Sequence, residues 1–325
     1  MVTRGDVQKT SRVWRLLLVG LISASAACKD ATEPLEPAVE APVRTPPPPP
    51  ALPAPRPVGP ENIYVANADG SFALRLVAGG RPAWSPDGRR IAFHRNGEVH
   101  VINADGSNDI TLSKGADPTW SPDGTRIVFS SRDGISVMNA DGAAVAILLR
   151  HDFRTDTYKP DDMGVGKPAW SPDGALIAFQ HFGDGDTQPG QVFVMRSDGV
   201  GPRLLSAPIR PFMARYAEGD PSWSPDGSKV VYVAYILGIV ATDKTGGVPN
   251  AVPSGFSEMP FTGKPVWSPN GQFIAFTYGV YPLSGRDIWI MSAAGGGAKE
   301  LITDAYDAAW SPDGSRIAFA STRVQ

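Results

Sequence analysis

Short apolar runs, each closed by Gly, Pro, Asp or Asn, follow one another from about residue 60 to the end of the chain. In one stretch they are Pro118 to Trp120, Arg126 to Ser130, Ile135 to Asn139 and Val145 to Leu149. Each has strand length and is bounded by turn residues. The pattern repeats around the pentapeptide Trp-Ser-Pro-Asp-Gly, which begins at Trp84, Trp120, Trp170, Trp223, Trp267 and Trp310, with Asn270 replacing one Asp. Pro presets φ at the second position of a reversal, Ser and Asp bond to nearby backbone, and Gly accepts positive φ, so this segment encodes a tight turn. A second reversal is encoded in Asn-Ala-Asp-Gly at 67–70, 103–106 and 139–142. The unit is therefore a four-stranded up-and-down sheet, with strands A to D.

The six tryptophans are 36, 50, 53, 44 and 43 residues apart. That spacing suits one propeller blade per repeat, with the excess in insertions. Ile63 to Asn67 and Ala73 to Val77 precede the first Trp and read as a C and D pair; Ala308 to Trp310 and Ile317 to Ala320 read as an A and B pair. Joined, these halves complete a sixth blade. The prediction is an all-β, six-bladed propeller over 61–325, closed by its own terminal strands, which leaves only short, protected sheet edges.

The repeat Pro-Ala-Trp-Ser-Pro-Asp-Gly followed by Ile-Ala-Phe, at 82–88 with 91–93 and at 168–174 with 177–179, resembles that of the TolB-like, WD40-like bacterial propellers. The resemblance covers all six repeats and implies the fold. In that family the propeller rim receives a peptidoglycan-associated lipoprotein, and an α/β domain that precedes the propeller serves other envelope partners. Here a Pro-rich segment stands where that domain would be. Fold alone does not fix function.

The N-terminal segments have a different character. Arg4, Lys9, Arg12 and Arg15 precede an apolar run from Leu16 to Ala27 that ends in small residues. This reads as a secretory signal over 1–27, too short to cross a bilayer as a helix. Cys28, the only cysteine, follows Ser25-Ala26-Ala27, which resembles a bacterial lipobox and implies lipidation of Cys28. Lys29, rather than Asp, follows it, and the resemblance then implies the outer membrane, with the domain facing the periplasm. Residues 28–60, with Pro46 to Pro50, read as a polyproline tether reaching ~100 Å if fully extended. A single thiol forms no internal disulfide, so packing holds the domain. A net charge of −3 leaves no electrostatic footprint for nucleic acid, and the membrane contact expected is the lipid anchor alone.

The candidate chemistry is sparse. The repeat tryptophans read as packing between blades, and the turn aspartates as turn formers. His94 and His100 flank Arg95 to Glu98; a two-residue turn at Asn96-Gly97 sets Phe93 opposite His100 and His94 opposite Val99, so the two imidazoles point to opposite faces and share no ion. Gly183 to Gln188 lacks the ligand spacing of a calcium loop, Gly164 to Lys167 lacks the first glycine of a phosphate loop, and no Gly-x-Ser-x-Gly is present. The reading is of a non-enzyme with neither cofactor nor metal. The alternative is an envelope enzyme acting on a polymer, of the metal-assisted saccharide lyase type, with His151 and His181 near the channel.

In a meander the A-to-B and C-to-D reversals lie on one rim, and the B-to-C and D-to-A connections on the other. The long connections, His151 to Lys167, Gln180 to Gln191, Ser206 to Pro221, Ser254 to Lys264 and Tyr278 to Asp287, all fall on the second rim, where binding is expected. They carry Phe153, Arg154, Tyr158, His181, Arg210, Phe212, Arg215, Tyr216, Phe256, Tyr281 and Arg286. Aromatic and Arg side chains of this kind anchor protein contacts. An envelope protein or peptide is the expected partner. Three residues before each Trp stand Arg81, Asp117, Lys167, Asp220, Lys264 and Asp307. Their signs alternate around the whole ring, which predicts a charge ring at the channel mouth.

Overall fold

The computed structural model describes residues 60–151, 164–182, 190–205, 219–234, 237–253, 261–279 and 285–323. They form six four-stranded antiparallel sheets arranged as the blades of a propeller. The A strands are Gly80–Trp84, Ala116–Trp120, Val165–Trp170, Gly219–Trp223, Phe261–Trp267 and Tyr306–Trp310, and these number the blades. Blade 6 is composite: its A and B strands, Tyr306–Trp310 and Arg316–Ser321, pair with Asn62–Asn67 and Leu74–Ala78 as C and D. The closing ladder runs without a break from Asn62 opposite Ser321 to Asn67 opposite Arg316. The first and last strands of the domain thus share one sheet, as the strand arithmetic predicts.

The B strands carry continuous apolar runs because blades cover them on both faces. Ile91, Ala92 and Phe93 are all fully buried, and so are Ile317, Ala318 and Phe319. The aromatic position of these strands, Phe93, Phe129, Phe179, Tyr232, Phe276 and Phe319, is fully buried in every blade. D strands lie outermost and expose side chains such as Leu74, Ile110 and Ile147. Three of the six repeat tryptophans bridge neighbouring blades by hydrogen bonds. Trp84 Nε1 donates to the Ala309 carbonyl (3.2 Å), Trp120 to Ala83 (3.2 Å) and Trp223 to Ala169 (3.0 Å). Arg316, Arg90 and Arg126 stack over Trp84, Trp120 and Trp170 of the following blade at 4.6, 4.6 and 4.9 Å.

Each Ser-Pro-Asp-Gly segment closes in the same way. Gly88 N donates to the Ser85 carbonyl, Arg90 N to Ser85 Oγ, and Ser85 Oγ to Asp87 (2.5 Å). Asn270 keeps the geometry without the charge, accepting from Ser268 Oγ and from Gln272 N. The turn glycine at φ +67° to +72° lies against the proline ring of the preceding blade, as Gly124 does against Pro86. One rim is therefore a tiled surface of identical turns.

Candidate functional site

Connection lengths separate the two rims. All six A-to-B turns are five residues (85–89, 121–125, 171–175, 224–228, 268–272 and 311–315), and all six C-to-D turns are six (68–73, 104–109, 140–145, 197–202, 244–249 and 293–298). Every variation in length falls on the opposite rim. There the links range from single glycines, Gly79 and Gly115, to the connections after Arg150, Leu204 and Ala251. The channel mouth opens among them, because each A strand starts from this rim.

At its start every A strand is bulged. Its pairing with the B strand shifts register between Gly80 and Ala83, Ala116 and Thr119, Gly166 and Ala169, Gly219 and Ser222, Gly263 and Val266, and Tyr306 and Ala309. Within each bulge lies one residue of the alternating series, and all six have positive φ: Arg81 53°, Asp117 52°, Lys167 51°, Asp220 55°, Lys264 39° and Asp307 56°. A bulge re-aims a side chain, and left-handed backbone at a non-glycine residue costs free energy that the surrounding ladders must hold in place.

Arg81, Asp117, Lys167, Asp220 and Lys264 line one cavity of about 290 Å³ in the channel, walled by Pro82, Pro118, Pro168, Pro221 and Pro265 and by Trp84, Trp267 and Trp310. Arg81 forms an ion pair with Asp117, whose second oxygen accepts from Ser130 Oγ (3.0 Å). Lys167 pairs with Asp220 at 2.8 Å. Lys264 Nζ reaches only carbonyls, those of Pro82 (3.4 Å) and Asp307 (3.5 Å). Burial holds its ammonium below the usual lysine range, against the opposing pull of Asp307.

Beside this ring lies a cluster that the sequence reading missed. Tyr306 Oη donates to Glu61 (2.8 Å), and the Arg286 guanidinium stands 3.6 Å above the Tyr306 ring. Burial, followed by the Glu61 contact, raises the Tyr306 pKa. The signal was in the column just before the charged residue, which reads Gly80, Ala116, Gly166, Gly219, Gly263 and then Tyr306. A Cβ at Gly80 would meet the Glu61 carboxylate.

Of the loop side chains expected to bind, Arg286 is exposed at the rim. His181 is not on an exposed loop. It ends the B strand of blade 3, only 4% exposed, opposite Val165 and Gln191 and beside the Phe193 ring at 6.1 Å. The apolar run extends further than its flanking polar residues suggest, and this removes His181 from the contact set. Phe153, Arg154, Tyr158, Arg210, Phe212, Arg215, Tyr216, Phe256 and Tyr281 lie outside the described residues, as do Cys28 and the tether. His151 is engaged through both ring nitrogens, Nδ1 accepting from Val165 N (2.9 Å) and Nε2 donating to the Arg132 carbonyl (2.9 Å). His100 stands opposite Phe93 and His94 opposite Val99. Among the described residues no group of three or more His, Cys, Asp or Glu is placed to hold a metal ion.

No family model matches the chain. A curated relative, the uncharacterized peptidase YuxL of Bacillus subtilis, is 34% identical over 30% of this chain; the match spans only 16% of that protein's length. Among solved structures, a protein assigned as TolB from Agrobacterium tumefaciens superposes with a TM-score of 0.67 at 17% identity, over 82% of this chain and 99% of that one. An oligogalacturonate lyase in complex with manganese gives 0.53 at 15% identity over 82% and 84%. A gluconolactonase from Xanthomonas campestris gives 0.53 at 15% identity over 82% and 99%. At these identities the likeness is one of fold, and the fold is the TolB-like six-bladed propeller.

Proposed function

We propose that this chain is an exported cell-envelope lipoprotein, tethered through Cys28 and the Pro-rich segment, that binds a protein or peptide partner with its loop-rich rim and performs no catalysis itself. The observation that carries this reading is the division of connection lengths. Twelve turns of two fixed lengths tile one rim, while every insertion is gathered on the other, around the channel mouth. Insertions confined to one face of a rigid scaffold build a recognition surface. Likeness to TolB supports an envelope partner, and a peptidoglycan-associated lipoprotein is the first to test.

The lyase and lactonase neighbours keep a second reading in view, that of an enzyme acting on a polymer. A metal site built on His151 would have to break two backbone hydrogen bonds of its imidazole, which favours binding over catalysis. Affinity capture from envelope extracts, with Arg154, Arg215 and Tyr281 changed to Ala, tests the choice of rim. Loss of one partner is expected; equal recovery of all partners refutes it.

A further inference from the structure

The five charged side chains lining the channel cavity do not balance. Arg81, Lys167 and Lys264 face Asp117 and Asp220, so the lining carries one net positive charge. Arg81 is neutralised by Asp117 and Lys167 by Asp220. Asp307 completes the alternation in sequence, yet its side chain does not line the cavity and Lys264 touches its carbonyl rather than its carboxylate. Among the described residues Lys264 is thus the lining cation that forms no direct ion pair, the Asp307 and Asp220 carboxylates acting on it only from a distance. Its ammonium has three donors, of which two are spent on long contacts to carbonyls.

The walls sharpen this imbalance. Five prolines follow the five lining charges directly and offer no N–H. An entering anion would therefore find its donors on side chains, where the hydrogen bond is charge-assisted. We propose that the channel mouth binds a single carboxylate group, anchored on Lys264 and flanked by the Arg81–Asp117 and Lys167–Asp220 pairs. One unmatched positive charge suits a monoanion and leaves a phosphate dianion uncompensated. A volume of about 290 Å³ is at the small end of ligand sites and admits a short carboxylic acid or one acidic side chain. Either source has the same chemistry. The inference does not depend on the rim reading, because the cavity lies among described residues and the rim contacts lie on the connections.

Trp84, Trp267 and Trp310 line the same cavity, so tryptophan fluorescence of the full chain reports occupancy. Four probes separate the possibilities: propionate, propionamide, the α-amide of N-acetylglutamate, and its glutamine counterpart. Both carboxylates should give saturable changes and both neutral amides none. Lys264→Met should weaken carboxylate binding at least tenfold, while Lys264→Arg retains it. Tighter binding of the glutamate derivative assigns the site to an acidic side chain of a docked chain; tighter binding of propionate assigns it to a free acid. Absence of saturation with either acid, equal responses to acid and amide, or wild-type affinity in Lys264→Met would overturn the proposal. If Lys264→Met does not fold by near-ultraviolet circular dichroism, the acid-against-amide contrast in the wild type and the Lys264→Arg variant decide it. Loss of the rim reading would show only in the capture experiment, and loss of this one only in the titration.

Discussion

Exchanging Arg81 and Asp117 distinguishes a ring of charges from a set of independent pairs. Asp117 is 16% exposed and Arg81 40%, and Asp117 also accepts from Ser130 Oγ. Exposed pairs contribute ~0 to 1 kcal/mol, whereas breaking a buried one costs ~3 to 5 kcal/mol. Asp117→Asn keeps an acceptor for Ser130 and removes only the charge, so its cost should be ~1 to 2 kcal/mol, between those limits. The double variant Arg81→Asp with Asp117→Arg restores the contact but sets Arg beside Lys167 in the same cavity. Unit charges about 8 Å apart interact by ~2 kcal/mol at an effective dielectric of about 20, and by less where water reaches them. The exchanged protein should therefore remain ~1 to 2 kcal/mol less stable than the wild type by urea denaturation at low ionic strength, with part of the deficit removed by salt. Full recovery of stability on exchange would show that only the pair matters and would refute the ring.

Four further outcomes are expected. Ile63, fully buried in the closing strand, should cost ~2 to 5 kcal/mol as Ala with an unchanged denaturant slope; a loss under ~1 kcal/mol would mean that closure contributes little to the cooperative unit. Asp123, Asp226 and Asp313 are held at about 2 by their serine partners, then by backbone N–H groups. Their contribution is complete above the ordinary carboxylate value of 3.8 and lost as pH falls towards about 2; replacing all three by Asn should flatten the acid limb of a thermal-melt profile. Arg90→Leu removes the cation over Trp120 but should cost no more than ~1 kcal/mol, since Leu176 already packs in the cluster of Trp223; a larger loss in the melt would give the guanidinium a role beyond stacking. Gly164→Ala places a Cβ on the His151 ring at a φ of +79° and should cost more than ~1 kcal/mol in urea denaturation; an unchanged midpoint would show that the approach of Gly164 to His151 contributes nothing to stability.

Blade number, strand order and closure were legible because they rest on local chemistry. Ser85 with Asp87 and Gly88 makes its turn from its own residues, and the apolar run of each B strand follows from burial on both faces. The start of the A strands was not legible. Sequence alone starts the last of them at Ala308, but pairing begins at Tyr306, because the intervening bulge puts its left-handed residue at a position that is Arg, Lys or Asp in different blades. The Gly-Asp-rich stretch after Phe182 places His181 on a connection by sequence alone, while the strand carries it into the interior.

Sequence by itself determined the repeated turns, the six-fold count and the alternation of charge, all written within each repeat or in its spacing. Tertiary structure decided which of those charges share a cavity and which lining cation forms no direct ion pair. Arg81, Lys167 and Lys264 occupy equivalent positions in their repeats, yet only Lys264 is left with carbonyls. That difference arises from packing around a closed ring, where each side chain answers to blades far away in the chain.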